Sequence, residues 1–212
     1  MASARQPLLD ITSEGLEIQP QVTAGQRGES LHAELLDFVL ERLRAYLVGQ
    51  VVDGREISIE MFEAVKAMSI TAPLDFRRRL LAVHTFVAEP ASPNLAAANK
   101  RIRNILRQAA AEGSGGRQAG SAGGEVDPRR FEHDAEKALY ARLGELEALN
   151  ARTADYREQL INLAALREPV DAFFDGVMVN ADDPAVRANR LALLARLDRL
   201  CRSVADLSQL PG

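Results

Sequence analysis

The sequence predicts an all-α fold, a helical bundle with a further helical segment before it, and three observations carry that reading. Apolar residues recur at steps of three and four through nearly every periodic stretch. Proline and acidic residues stand where helices would begin, and glycine where they would stop. No convincing β-hairpin or βαβ alternation is found. The 212 residues allow one or two domains and a sizeable core, and 47% hydrophobic with 26% charged residues is the balance of a globular chain.

Residues 1–30 carry Pro7, Gly15, Pro20, Gly25 and Gly28 with little periodicity, and read as a loosely ordered N-terminal arm with a short extended piece at Leu16–Ile18. From residue 31 the pattern LHAELLDFVLERLRAYL places Leu36, Leu40, Leu43 and Leu47 at helical spacing, with Ser30 as the expected N-cap and Glu34 near the first turn. Asp53-Gly54 is a turn signal, and a helix is expected over about 58–69. Thr71-Ala72-Pro73 starts another helix, bearing Leu74, Phe76, Leu80, Leu81, Val83 and Phe86 and ending at Glu89-Pro90. Residues 31–92 therefore form a helical segment upstream of a main bundle over 93–210.

Ser92-Pro93 opens that bundle. Leu95, Ala98, Ile102, Ile105 and Ala109 share one helix face, with Leu106 beside them. Lys100, Arg103, Asn104 and Arg107 fall on the opposite side and Arg101 on the flank. Gly113 stops the helix. The following stretch, AEGSGGRQAGSAGG, has almost no bulky side chain and cannot bury enough surface to offset its ordering entropy, so 111–126 is read as a flexible Gly-rich loop. Helices are then expected over 131–150, 153–166 and roughly 169–178. A last one opens at Asp182-Asp183-Pro184 and runs to about Ser208.

Little in the chain has the spacing that catalysis requires. His32, His84 and His133 lack the HExxH spacing, and the His133-Asp134 dipeptide of a metal phosphohydrolase lacks converging ligands. Lys66-Ala67-Met68-Ser69 departs from a KMSKS loop and reads as a helix terminus. No Walker loop, GxGxxG or nucleophile elbow is present, so no residue is proposed as catalytic, cofactor-binding or metal-binding. One cysteine excludes a disulfide framework, and Cys201 lies on the apolar stripe of the last helix as a buried, inert thiol. No apolar run approaches the roughly 18 residues of a membrane span, and the N-terminus lacks a signal peptide's apolar core. A cytoplasmic protein without membrane or DNA partners is expected.

The net charge is −4, but it is unevenly distributed. Residues 1–76 carry −6 and 108–183 carry −7, whereas 77–107 carry +6 and 184–212 carry +3. Clustered Lys and Arg on helix faces are what phosphate contact requires. The last helix adds one anomaly. Val186, Leu193, Leu194, Leu197, Leu200, Cys201, Val204 and Leu207 form its stripe, and Arg190 falls inside it. Arg190 is read as a structural strut seeking a carboxylate, with Asp171, Asp175, Asp182 and Asp183 near in sequence.

Several longer motifs carry a resemblance. AALREPVDAFFDGVMVNADDPAVRANRLALLARLDRL (164–200) closely resembles the C-terminal end of bacterial glycyl-tRNA synthetase β subunits, and AAANKRIRNIL (96–106) looks like the first helix of the same region. AEKALYARL (135–143) fits between them, and LLDFVLERLRAYL (35–47) resembles the segment just upstream. The region is the DALR anticodon-binding domain, shared with arginyl-tRNA synthetases. Its tetrapeptide appears as Ala164-Ala165-Leu166-Arg167, with alanine in place of aspartate. Val177–Asn180 and Asn189-Arg190 favour the glycyl β subunits over the arginyl enzymes.

The resemblance implies a role as part of glycine–tRNA ligase, a class II enzyme: binding the anticodon stem-loop of tRNA-Gly beside an α subunit in an α2β2 holoenzyme. The α subunit would use ATP and Mg²⁺, and this chain no cofactor. It further implies that the chain corresponds to a C-terminal piece of a longer β subunit. Anticodon readers stack splayed bases on aromatic or guanidinium planes and hold phosphates with Lys and Arg. The wheel nominates Lys100, Arg103, Asn104 and Arg107, then Arg101, Arg196 and Arg199, as tRNA-binding residues. Tyr140, Tyr156, Phe173 and Phe174 are candidate stacking platforms. A helical protein-interaction domain without RNA binding, and the DALR domain of an arginyl-tRNA synthetase-like protein, are the competing readings.

Overall fold

The computed structural model describes residues 24–112 and 124–212. The extended piece expected at Leu16–Ile18 and the glycines of 113–123 lie outside the described residues. The chain divides into two units, residues 1–39 and 40–212.

In the first unit, α1 (Ala24–Leu47) begins six residues before the expected Ser30 cap, which falls inside the helix, as does Glu34. Ser30 and the leucine period beyond it are equally compatible with a helix interior, so the N-cap signal was ambiguous. The expected arm of residues 1–30 is therefore helical from Ala24 onward.

The second unit is built from the end of α1 onward. Leu40 and Leu47 are buried, and Gly49 leaves the helix at φ +86°. The expectation of no hairpin is corrected here. β1 (Val51–Val52) and β2 (Arg55–Glu56) pair antiparallel with Val52 opposite Arg55. Asp53 (φ 49°) and Gly54 (φ 76°) form the two-residue connection, and positive φ at both is what a type I′ turn demands. Two residues per strand are too few for alternation to register. The hairpin is fastened to the next helices by Arg55 Nη1 donating to the His84 carbonyl at 3.0 Å, with His84 Nε2 3.0 Å from the Arg55 carbonyl.

α2 (Ile59–Lys66) is capped by the Ser58 hydroxyl and ends at Lys66, so the Lys66–Ser69 tetrapeptide is a helix terminus, with Ser69 at φ 53°. α3 (Pro73–Phe86) starts on its proline and buries Phe76, Leu80, Val83 and Phe86. α4 (Ser92–Glu112) extends through Ala111 and Glu112, so the expected loop begins later than 111, and Val126 at its other end is buried. A 3-10 turn at Pro128–Arg130 precedes α5 (Asp134–Asn150), which begins three residues later than expected because Glu136 reaches back to accept the backbone N–H of Glu132 and His133, each at 2.8 Å.

α6 (Tyr156–Leu163) is shorter than the expected 153–166, since the Asp155 carboxylate caps it and Ala164–Leu166 tighten into a 3-10 turn. That turn leads into α7 (Arg167–Gly176). α8 (Pro184–Cys201), capped by Asp183, stops seven residues before Ser208. A 3-10 turn at Leu207–Gln209 follows. Val204 and Leu207 are buried as expected, but beyond the helix rather than on it.

α3 packs on α6, α5 on α6, α7 and α8, and α4 on α8. The Leu207–Gln209 turn closes against α2 and α4, with the Asp206 N–H donating to the Ala64 carbonyl at 2.8 Å. Leu139, Leu143, Leu146, Leu160, Leu163, Phe173, Leu193 and Leu194 fill the centre without exposed surface beyond 1%. At about 1.5–3 kcal/mol per fully buried large side chain, this apolar contact is what holds the bundle.

Candidate functional site

The buried face of α4 determines where its polar residues emerge. Leu95, Ala96, Asn99 and Ile102 are buried, while Ala98, Ile105 and Ala109 are half-buried. The face is thus rotated from the wheel's expectation, and Asn99 lies within it. Its Nδ2 donates to Asp198 Oδ1 at 3.1 Å, and its Oδ1 has no partner.

Lys100, Asn104 and Arg107 are exposed on the other side, and Arg107 Nη2 donates to Asn104 Oδ1 at 2.9 Å. Together with Arg103 they line a groove of about 660 Å³ between α4 and residues 208–211. Arg103 does not point away from the protein as the wheel has it. Its Nη1 donates to the Asp206 carboxylate and to Ser208 Oγ at 2.8 Å, and Asp206 is 2% exposed in its side chain. The cations of this groove with no carboxylate partner among the described residues are therefore Lys100 and Arg107. Glu60 stands at the edge, its carboxyl held below the ordinary carboxylate range by the Ser58 hydroxyl and a backbone N–H.

The remaining candidates stand elsewhere. Arg101 stacks on Phe174, 4.1 Å from the ring centroid, in a second cleft of about 560 Å³. Arg196 donates Nε and Nη2 to the two oxygens of Glu147 at 2.9 and 2.6 Å and lies 4.7 Å over the Tyr140 ring. Its guanidinium is thereby engaged in joining α8 to α5. Arg199 is exposed on α8 and lines neither cleft.

Phe173 is core, whereas each of the other three aromatic candidates carries an arginine. The third such pair, Arg79 over Tyr156 at 4.3 Å, was invisible from sequence. Arg79 also donates to Asp75 at 2.8 Å, to the Ser203 and Val204 carbonyls at 3.0 and 2.9 Å, and to the Tyr156 hydroxyl at 3.0 Å.

Arg190 is the strut that its place in the stripe demanded, but with other partners. Asp171, Asp175, Asp182 and Asp183 are not used. Arg190 Nε donates to Glu136 at 2.9 Å, Nη2 to Glu132 at 2.7 Å, and Nη1 to the Met178 carbonyl at 3.0 Å. The cause is distance: α8 packs on the start of α5, and those carboxylates lie 54 and 58 residues back in the chain. Burial pushes the Glu136 carboxyl up, and the Arg190 guanidinium with two backbone N–H groups outweighs it, leaving the group below its ordinary value. His133, which opens the dipeptide considered for a metal, belongs with Glu132 to this cap. Burial pushes the Cys201 thiol up to about 12, far from a nucleophile's range.

The family model of the DALR anticodon binding domain matches residues 95–207, from the start of α4 to the closing turn. The chain belongs to the DALR anticodon binding domain family. The cleft beside Arg101 and the whole Arg190 network lie inside the matched span, as does the α4 side of the groove, whose other lining residues, Glu60 and 208–211, lie outside it; Asp75 and Arg79 lie before it. The DALR tetrapeptide, here Ala164–Arg167, forms the 3-10 turn that starts α7, and Arg167 Nε is 4.0 Å from Asp171 Oδ2, one turn along.

The curated relatives name a longer protein. The chain is 41% identical over 187 residues to the glycine–tRNA ligase beta subunit of Ectopseudomonas mendocina, covering 87% of this chain and 25% of that protein. The corresponding beta subunit of Pseudomonas aeruginosa is 43% identical over the same length and coverage. That of Acinetobacter baumannii is 42% identical over 212 residues, 96% of this chain and 28% of the relative. The chain spans about a quarter of the length of the curated relatives it matches. Among the described residues, no group of three or more His, Cys, Asp or Glu is arranged to hold a metal ion, and no helix is long and apolar enough to cross a membrane.

Proposed function

We propose that this DALR domain binds the anticodon stem-loop of tRNA-Gly as part of a glycine–tRNA ligase β subunit in the cytoplasm, supporting glycylation by a partner α subunit in an α2β2 assembly. ATP and Mg²⁺ chemistry belongs to that α subunit in this reading, and no residue of this chain is given a role toward either. The observation that carries the proposal is the groove beside α4. Two cations without carboxylate partners, Lys100 and Arg107, stand there with the Asn104 amide inside the span that matches an anticodon-binding family.

The groove holds phosphates by charge, and Asn104 adds a directional donor and acceptor. Arg103 acts here as a positioning residue, holding Ser208 of the opposite wall directly and through the buried Asp206. The test is titration of the cognate stem-loop, and of anticodon-altered loops, at two salt concentrations. Cognate preference at both, with at least tenfold weaker binding for Lys100→Glu combined with Arg107→Glu, is expected. Equal affinity for every loop, or an unaffected double variant, removes the reading.

A further inference from the structure

We propose that the cleft between the end of α4 and the α7–α8 connection takes one unstacked nucleobase, laid against the Arg101 guanidinium and flanked by Met178. This rests on the RNA-binding reading above and deepens it by naming a base site distinct from the phosphate groove.

Among the described residues, Arg79, Arg101 and Arg196 each lie over an aromatic ring. Arg79 and Arg196 also have carboxylate partners, Asp75 and Glu147, which occupy their N–H groups. Arg101 is exposed and, among the described residues, makes no hydrogen bond or ion pair. Its Cζ rests 4.1 Å over the Phe174 ring while its donors remain uncommitted. Phe174 is in turn held at 5.6 Å, edge to face, by the buried ring of Phe173. A guanidinium resting on one ring with open donors offers its planar outer side for stacking and its edge for hydrogen bonds.

The opposite wall is equally prepared. Met178 is 74% exposed, the highest among the exposed large apolar side chains of the described residues. It is not left to wander, because its carbonyl accepts from Arg190 Nη1 at 3.0 Å and its neighbour Val177 is buried. The buried Arg190–Glu136 pair thus has a consequence at the surface: it holds a thioether out beside a cationic plane. Gln108 and Asn180 line the same cleft and carry amides able to pair with a base edge.

Charge selects the occupant. Asp175 lines the cleft with Arg101, so the site has one charge of each sign. A phosphate gains little there, whereas a neutral planar group gains stacking, apolar contact with Met178 and Ile105, and edge hydrogen bonds. The volume of about 560 Å³ admits one base with its ribose at the mouth.

The experiment measures binding of the full 212-residue chain to the tRNA-Gly anticodon stem-loop and to the same stem-loop with an abasic nucleotide placed at each loop position in turn. Variants are Arg101→Lys, which keeps the charge and loses the plane, and Met178→Ala, at an exposed position. About tenfold weaker binding is expected for each on the intact loop. At one abasic position, wild type and both variants should bind alike, since the base they act on is gone. Variants that match wild type on every loop, with Lys100→Glu/Arg107→Glu still impaired, overturn the base site and leave the anticodon reading standing. An unrelated single-stranded heptamer separates the converse. Arg101-dependent binding of the heptamer with no stem-loop binding retains the base site and removes the anticodon reading, and no binding of either RNA overturns both.

Discussion

Glu136 has no exposed surface and Arg190 has 3%, and the two meet in one hydrogen bond of 2.9 Å while Glu136 also receives two backbone donors. Removing the guanidinium strands a carboxylate where water cannot reach it, so Arg190→Ala should cost about 3–5 kcal/mol in denaturant unfolding. The pH dependence follows from the same geometry. The folded carboxyl lies below its ordinary value of 4.5, so its stabilisation is complete above that value and lost as pH falls through the folded one. Asp75 runs the same way, its burial outweighed by Arg79 and Tyr156. Glu136→Gln should therefore be less stable than wild type at neutral pH, and the gap should narrow on acidification. Chemical denaturation at pH 7 and near pH 4 reads both, and a gap that widens in acid contradicts the assignment. Arg190 itself was legible because one charged residue in an apolar stripe is conspicuous. Glu136 was not, because nothing local ties residue 136 to residue 190.

The helix ends show what periodicity can and cannot resolve. Buried chain remains apolar whether or not it is helical, so Val204 and Leu207 extended the α8 pattern past the point where the helix stops. Beyond the stop the backbone is served by tertiary partners: Arg79 donates to the Ser203 and Val204 carbonyls, and the Asp206 N–H donates to the Ala64 carbonyl. By contrast, Ser58, Pro73 and Asp183 marked their helix starts because caps are local chemistry. α2 offers a test of such chemistry. Ser69 follows the helix end at φ 53°, a conformation that costs a residue bearing Cβ. Ser69→Gly should stabilise by up to about 1 kcal/mol, seen as a rise of a few degrees in Tm. A fall in Tm would show that the serine side chain contributes more than the strain it imposes.

Across the whole molecule, the net charge of −4 predicts repulsion from RNA, yet the +6 of residues 77–107 does not reach solvent intact. Arg79 and Arg103 are neutralised by Asp75 and Asp206, and Arg196 in the +3 segment by Glu147. The segment sums located the basic surface, but they overstated it, because the partner of Arg103 is 103 residues distant in sequence. What remains beside α4 is local, and surface charges beyond a Debye length of about 8 Å act weakly at physiological salt. RNA affinity should thus follow Lys100 and Arg107 rather than net charge. For the stem-loop, replacing both by alanine should reduce the slope of log affinity against log salt by about 1.4 to 1.8, the share of two phosphate contacts. Replacing the exposed Glu158 and Glu168 by glutamine changes net charge by the same two units in the opposite direction and should leave the slope nearly unchanged. Binding measured across a salt series for the two pairs decides the matter. A slope that shifts equally for both would mean that RNA senses the total field of the domain, and that the groove has no privileged part in holding it.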